Sequence, residues 1–173
     1  VFPAAENLAY RHETWVNDRR YSFAQWTDGH SSFAVDGDAS ASQPRSCAIL
    51  DNYFVDQPVW MVDLGQRKRV RGLVVLTWQG RGGQHHERSK VYHEMSNLDK
   101  LTAYVADRPR LEDIPAGHKC ASVSRLNNAV FRKRVHFECP DGMEGRYVYL
   151  KASGVHNRKG RLFSAVLCEV MVY

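Results

Sequence analysis

Apolar and polar residues alternate along much of this chain, in short segments. Val59-Trp60-Met61-Val62-Asp63-Leu64 is rich in β-branched and aromatic residues, and Val70 to Trp78 follows after a charged turn. Leu101 to Val105, Val135 to Cys139 and Arg146 to Leu150 alternate too, as does the closing run from Val166 to Tyr173. Turn-forming clusters separate these runs: Asp36-Gly37-Asp38, Gly80-Arg81-Gly82-Gly83 and Pro140-Asp141-Gly142. Strand side chains point alternately to two faces, so short period-two segments with turns between them predict an all-β sandwich or barrel. No long segment carries a helical period, and helix is expected at most as short turns near Asn17 to Gln25 and Leu111 to Pro115. A doubly wound α/β fold is therefore disfavoured.

Size and composition narrow the class. The 173 residues (19.8 kDa) suit a single domain, 1–173. With 43% hydrophobic and 25% charged residues, the composition is that of a folded globular chain. The longest apolar run, Gly72 to Trp78, is too short to span a bilayer. Val1 is not an initiator Met and no signal pattern follows it, so a processed chain is expected. Twenty-four Lys and Arg against nineteen Asp and Glu give +5, with a pI near 9.1. That bias permits polyanion or membrane-surface binding without demanding it. The basic clusters Arg67-Lys68-Arg69-Val70-Arg71 and Arg132-Lys133-Arg134 read as solvated loop or strand edge. Neither shows the interleaved aromatics of a nucleic-acid reader, so no nucleic-acid partner is expected. A nucleophile elbow, a phosphate loop and a catalytic zinc motif are all missing, so an enzyme is the least expected class.

The four cysteines, Cys47, Cys120, Cys139 and Cys168, never sit at Cys-x-x-Cys spacing, which argues against a zinc ribbon or a thioredoxin-type site. An even count at wide spacing suits two disulfides in an oxidising compartment. Three pairings are open from sequence alone. Cys120 and Cys139 flank a candidate hairpin, which would leave Cys47 and Cys168 to tie an early loop to the last strand. There is no Asn-x-Ser/Thr sequon to add independent support for secretion.

Several motifs then fall in one order: Asn7-Leu8-Ala9, Ala34-Val35-Asp36-Gly37-Asp38, Arg45-Ser46-Cys47, Pro58-Val59-Trp60-Met61-Val62-Asp63-Leu64-Gly65, Glu87-Arg88, Gly145-Arg146-Tyr147-Val148 and Leu167-Cys168-Glu169-Val170. This order resembles the F-type lectins (fucolectins), cousins of the discoidin and coagulation-factor C domains, over about Glu6 to Tyr173. The resemblance implies an antiparallel β-sandwich jelly roll with disulfides Cys47–Cys168 and Cys120–Cys139.

It also implies a structural calcium between the Asp-Gly loop and the C-terminal Cys-Glu strand. The matching positions are Asp36, Asp38, Ser46 and Glu169, with carbonyls of Phe33, Asp38 and Cys168. Calcium takes about 6–8 oxygens, mixing carboxylates, hydroxyls and carbonyls, so the donor types suit it. Read without the family, Asp36-Gly37-Asp38 is a solvated turn.

The family grips fucose with one His and two Arg, and here the pattern breaks. The His position reads about Pro44. The first Arg position reads Gln79, with Arg81 where an Asp is expected; Arg88 keeps the second Arg. The family's vicinal cysteines correspond to Gly82-Gly83. The loop gains His85 and His86, and a further insertion runs from about Ser89 to Asn97. A polar sugar site stripped of donors loses its ligand sharply, so binding altered from fucose is expected. Arg88, Arg81, Gln79, His85 and Trp78 are the candidate ligand contacts. Adjacent His85 and His86 ordinarily point apart, so neither metal binding nor acid–base chemistry is expected of them. Trp15, Trp26 and Trp78 are candidate stacking rings, while Trp60 reads as core.

The leading expectation is a secreted recognition or adhesion domain whose partner is a glycan or glycoprotein on a cell or egg surface. A homo-oligomer is compatible with it, as is a secretory vesicle such as an acrosome. One competing reading is a protein-recognition module that has lost sugar binding, such as a sperm acrosomal gamete-recognition protein. Another is phospholipid binding of the discoidin kind, with Phe2, Phe23 and Tyr53 as apolar spikes; a membrane-surface partner is the less favoured of the two.

Overall fold

The computed structural model describes residues 7–17, 29–39, 46–51, 55–77, 98–109, 118–126, 134–154 and 163–173. Nine strands lie within them: β1 (Thr14–Val16), β2 (Ala48–Asp51), β3 (Val59–Arg69), β4 (Gly72–Thr77), β5 (Leu98–Ala106), β6 (Lys119–Val123), β7 (Arg134–Glu138), β8 (Glu144–Gly154) and β9 (Ser164–Val172). A 3-10 helix, Ser31–Val35, precedes β2. The strands form a five-stranded sheet in the order β1-β3-β8-β5-β6 and a four-stranded sheet in the order β2-β9-β4-β7. Every pairing is antiparallel. This is the expected β-sandwich jelly roll. The two short helical turns expected near Asn17 to Gln25 and Leu111 to Pro115 fall almost wholly outside the described residues.

The alternation seen in the sequence is the alternation of faces. Trp60, Val62 and Leu64 of β3 face inward, as do Leu101, Ala103 and Val105 of β5 and Val148, Leu150 and Ala152 of β8. They meet Ala48 and Leu50, Leu73 and Val75, Val135 and Phe137, and Ala165, Leu167, Val170 and Val172 from the other sheet. Trp60 is fully buried and donates its indole N–H to the Ser31 carbonyl at 2.9 Å. Its polar atom is thereby satisfied inside the core, where an unpaired donor would cost about 1–3 kcal/mol. That bond also pins the 3-10 helix to β3.

Two local expectations are corrected. Arg67-Lys68-Arg69, placed in a charged turn although its charges also suited a strand edge, is the far end of β3, with Lys68 opposite Gly145 and Arg69 opposite Glu144. Arg67 reaches Asp107 at 3.5 Å and Glu144 at 3.6 Å, so the charges are carried on a solvated strand end. The chain turns one step later, where the N–H groups of Val70 and Arg71 donate to the carbonyls of Met143 and Tyr173. The second correction concerns the hairpin expected between Cys120 and Cys139. Cys120 lies in β6 and Cys139 directly follows β7, and these are edge strands of different sheets. The Cys120–Cys139 bridge is therefore a staple between the two layers. Cys47–Cys168 joins the approach to β2 with β9, beside the pair Ala48 and Leu167. The two disulfides fit an oxidising compartment. Among the described residues no helix is long and apolar enough to cross a membrane.

Candidate functional site

Of the acidic residues singled out in the sequence, Asp36 and Asp38 lie at the turn after the 3-10 helix and Glu169 on β9, inside the four-stranded sheet. Two backbone features bring the turn and Glu169 together. First, β9 carries an extra residue against β4: Leu76 pairs with Glu169 and Thr77 with Leu167, so Cys168 is a bulge. A bulge re-aims the side chains beside it, and here it sets Glu169 next to the disulfide at 3% exposure. Second, the 3-10 helix ends at Asp36, and Gly37 follows at φ +84. That left-handed conformation is one L side chains rarely adopt. It turns the Gly37 N–H onto Glu169, donating to Oε1 and Oε2 at 3.2 Å each. Asp36 Oδ1 accepts the Asp38 N–H at 2.9 Å, closing a tight Asx turn.

The start of this segment is equally well held. The His30 ring accepts the Ser32 N–H at 3.1 Å, capping the 3-10 helix, and Thr14 donates its hydroxyl to Ser31 Oγ at 2.8 Å. Outside the turn stands Tyr10. A Cβ placed on Gly37 would come within 2.7 Å of Tyr10 Cε2, so the ring covers the glycine closely. The loop carrying Tyr10 is itself fixed: Arg11 N–H donates to the Val35 carbonyl, and Leu8 N–H to that of Val172. Asn7 Oδ1 accepts from both Ala9 and Val172.

Electrostatics single out Glu169. Burial, and then the neighbouring Asp36 carboxylate, push its carboxyl up to about 8; the Gly37 N–H works against them, and Asp38 adds further repulsion. A buried acid beside two exposed ones is an arrangement that a bound cation relieves. Asp36, Asp38 and Glu169, with the Ser46 hydroxyl and the carbonyls of Phe33, Asp38 and Cys168, are hard oxygen donors of the type calcium takes. Among the described residues no three His, Cys, Asp or Glu side chains converge as a finished metal cluster. The carboxylates are spent instead on Gly37 and Asp38 N–H groups, so the fit rests on the donor types and on the repulsion at Glu169. The sequence pointed to the acids but not to Tyr10, whose contact with Gly37 joins segments far apart in the chain.

Other candidates separate clearly. Trp60 is core, whereas Trp15 is 39% exposed on β1. Arg88, Arg81, Gln79, His85 and Trp78, with Pro44, His86 and Trp26, lie outside the described residues, as do Phe2, Phe23 and Tyr53.

No protein-family profile matches the chain, and no curated protein matches it in sequence. Solved structures do match. A serum fucolectin from the striped bass Morone saxatilis superposes with a TM-score of 0.65 at 20% identity, over 96% of this chain and 48% of that one. The chain has the F-type lectin fold. It spans about half the length of the bass lectin. The lectin domain of lectinolysin, solved with Lewis B antigen, gives 0.58 at 23% identity over 97% of this chain and 96% of that one. A Clostridium perfringens module, CpGH89CBM32-5, solved with GalNAc-β-1,3-galactose, gives 0.57 at 13% identity over 97% and 98%. At these identities the likeness fixes the architecture; function has to be argued from the site.

Proposed function

We propose that this protein is an extracellular glycan-recognition module of the F-type lectin kind, with a structural calcium and a ligand preference altered from fucose. One observation supports the reading: the Gly37 N–H of the Asp36-Gly37-Asp38 turn donates to the Glu169 carboxylate, next to the Cys47–Cys168 disulfide. The same fold in the bass fucolectin, the lectinolysin lectin domain and the Clostridium perfringens module supports a carbohydrate partner. Calcium would be held by those three carboxylates, Ser46 and the Phe33, Asp38 and Cys168 carbonyls, where it would neutralise a buried acid and lock the Asp-Gly turn.

The altered preference follows from the binding loop. Pro44 and Gln79 stand where the family uses His and Arg, and Arg88 remains. A pocket that keeps one cationic donor of three no longer pairs the fucose hydroxyls, and unpaired polar groups cost most of the affinity. Arg88, Arg81, Gln79, His85 and Trp78 are the residues assigned to the rebuilt pocket. Neither a catalytic group nor a nucleic-acid contact is assigned. Two disulfides match a secreted or vesicular location.

The test is a glycan array run with calcium and with chelator, carrying fucosylated, sulfated and uronic-acid glycans. The expected result is a discrete set of calcium-dependent hits other than simple fucosides, lost in Arg88→Ala. A blank array from folded, disulfide-bonded protein contradicts the proposal and turns the search to protein partners.

A further inference from the structure

Strand β7 (Arg134–Glu138) bounds the four-stranded sheet on one side. It pairs with β4, and no strand among the described residues pairs with its other side. Beyond its end, the Cys139 N–H donates to the Arg71 carbonyl, toward the β4 side. Backbone groups of a strand point alternately to its two neighbours. Val135 and Phe137 therefore bond to β4, while the N–H and C=O groups of Arg134, His136 and Glu138 point away from the sheet. The same three residues are exposed, whereas Val135 and Phe137 are buried. No Gly, Pro or bulge interrupts this edge. An open strand edge of that kind is a template for a further strand.

Charge decides which strand fits it. Arg134 and Glu138 stand at the two ends of β7, roughly 13 Å apart at the rise of a strand, too far to pair with each other. Among the described residues neither has a salt-bridge partner. A second β7, run antiparallel about a twofold axis through His136, answers both charges. Arg134 then lies opposite the partner's Glu138, and symmetry repeats the pair on the other side of the axis. Opposite residues in a hydrogen-bonded antiparallel pair have Cα atoms about 5.5 Å apart, within reach of an Arg and a Glu. This register engages every outward N–H and C=O of both strands; a shift in either direction leaves some of them over. Parallel strands in step would instead set like charges side by side, which is destabilising. Pro140, with no N–H to donate, ends the pairing segment.

We propose that this protein forms a twofold dimer by pairing β7 with β7 of a second copy, joining the two four-stranded sheets into one continuous sheet. Val135 then lies opposite the partner's Phe137 on the core side, so the same face stays buried in both copies. The inference does not depend on the ligand. Its consequence for recognition is that a dimer carries two copies of any binding site, so weak contacts act together on a clustered target.

The test is sedimentation equilibrium of the full, disulfide-bonded chain, from low micromolar to millimolar concentration. The expected result is a reversible monomer–dimer equilibrium. Arg134→Glu and Glu138→Arg each weaken it by roughly tenfold or more, because two facing pairs turn from opposite to like charge. The two reversals combined in one chain restore it. His136→Pro abolishes it, since Pro removes the outward N–H at the axis while the ladder to β4 keeps its bonds. Circular dichroism and thermal melts of each variant confirm folding. A chain that stays monomeric throughout the range overturns the proposal. So does a dimer that neither charge reversal nor His136→Pro weakens, since its interface would lie elsewhere. Single reversals that weaken the dimer without recovery in the combined variant overturn the pairing of Arg134 with Glu138.

Discussion

Gly37 donates its N–H to both carboxylate oxygens of Glu169, 132 residues further along the chain, at 3.2 Å each. That contact joins the end of the 3-10 helix to the bulge of β9, and it makes the charge state of Glu169 a property of the fold. In the unfolded chain the carboxyl titrates at its ordinary 4.5; in the fold, burial and then Asp36 push it up to about 8. Between those values the folded protein binds more protons than the unfolded one, so stability falls as pH rises through the window. Chelator-treated protein is expected to lose thermal stability from about pH 5 to about pH 8. On the proposed reading, added calcium is expected to remove that slope by holding the carboxylate in its charged form. Melting temperatures across pH, with EDTA and with calcium, check this; a flat profile in EDTA contradicts it.

Glu169→Gln separates the charge from the hydrogen bond, because the amide oxygen still accepts from Gly37. Without metal at pH 8 the variant is expected to be at least about 1 kcal/mol more stable than the parent, the value of a single pKa unit relieved. It is also expected to lose the calcium-induced rise in melting temperature. Denaturant unfolding with and without calcium measures both. A variant that loses stability and keeps its calcium response contradicts the placement of the ion.

Gly37 is constrained twice, by φ +84 and by Tyr10 Cε2 lying 2.7 Å from where a Cβ would stand. Gly37→Ala is expected to cost about 1–3 kcal/mol, from the left-handed conformation and the clash together. In the double variant Gly37→Ala, Tyr10→Ala the clash disappears and the backbone strain stays. The two changes should therefore be less than additive in a double-mutant cycle. Strict additivity would mean that Tyr10 does not sit on the turn.

The long strands were legible because β3, β4, β5, β8 and β9 are each six or more residues of period-two or continuous apolar sequence. β1 and β2 were not, having three and four residues, too few for a period to emerge; the five of β6 lack the clean alternation that made the five of β7 readable. Arg67 to Arg69 fits the solvated strand-edge reading, but the turn expected before Val70 begins later, because a strand end needs no apolar face where water and acids such as Asp107 and Glu144 take the charges. The acids of the proposed cation site were legible as motifs. Gly37 was legible as part of that motif, but Tyr10 was not, since only the fold brings Tyr10 over the turn and the turn onto Glu169. The ion pair of Arg146 Nε with Asp63 Oδ1, at 2.8 Å, was hidden for the same reason: the two residues are 83 apart in sequence.

The staple between the layers gives a separate prediction. Cys120 and Cys139 close a loop with a sequence separation of 19 and connect the outer strands β6 and β7. Replacing both with Ala is expected to cost about 3 kcal/mol, mainly through freedom regained by the unfolded chain. The calcium response should survive, because the acids sit at the other disulfide. Urea unfolding and calcium titration of Cys120→Ala, Cys139→Ala check the two halves independently.

The central claim is calcium-supported glycan recognition by this jelly roll, and the glycan array with calcium and with chelator tests it most directly. The account predicts a discrete set of hits, distinct from simple fucosides, that fade in chelator and in Arg88→Ala. An array that stays blank with folded protein and calcium present would contradict it.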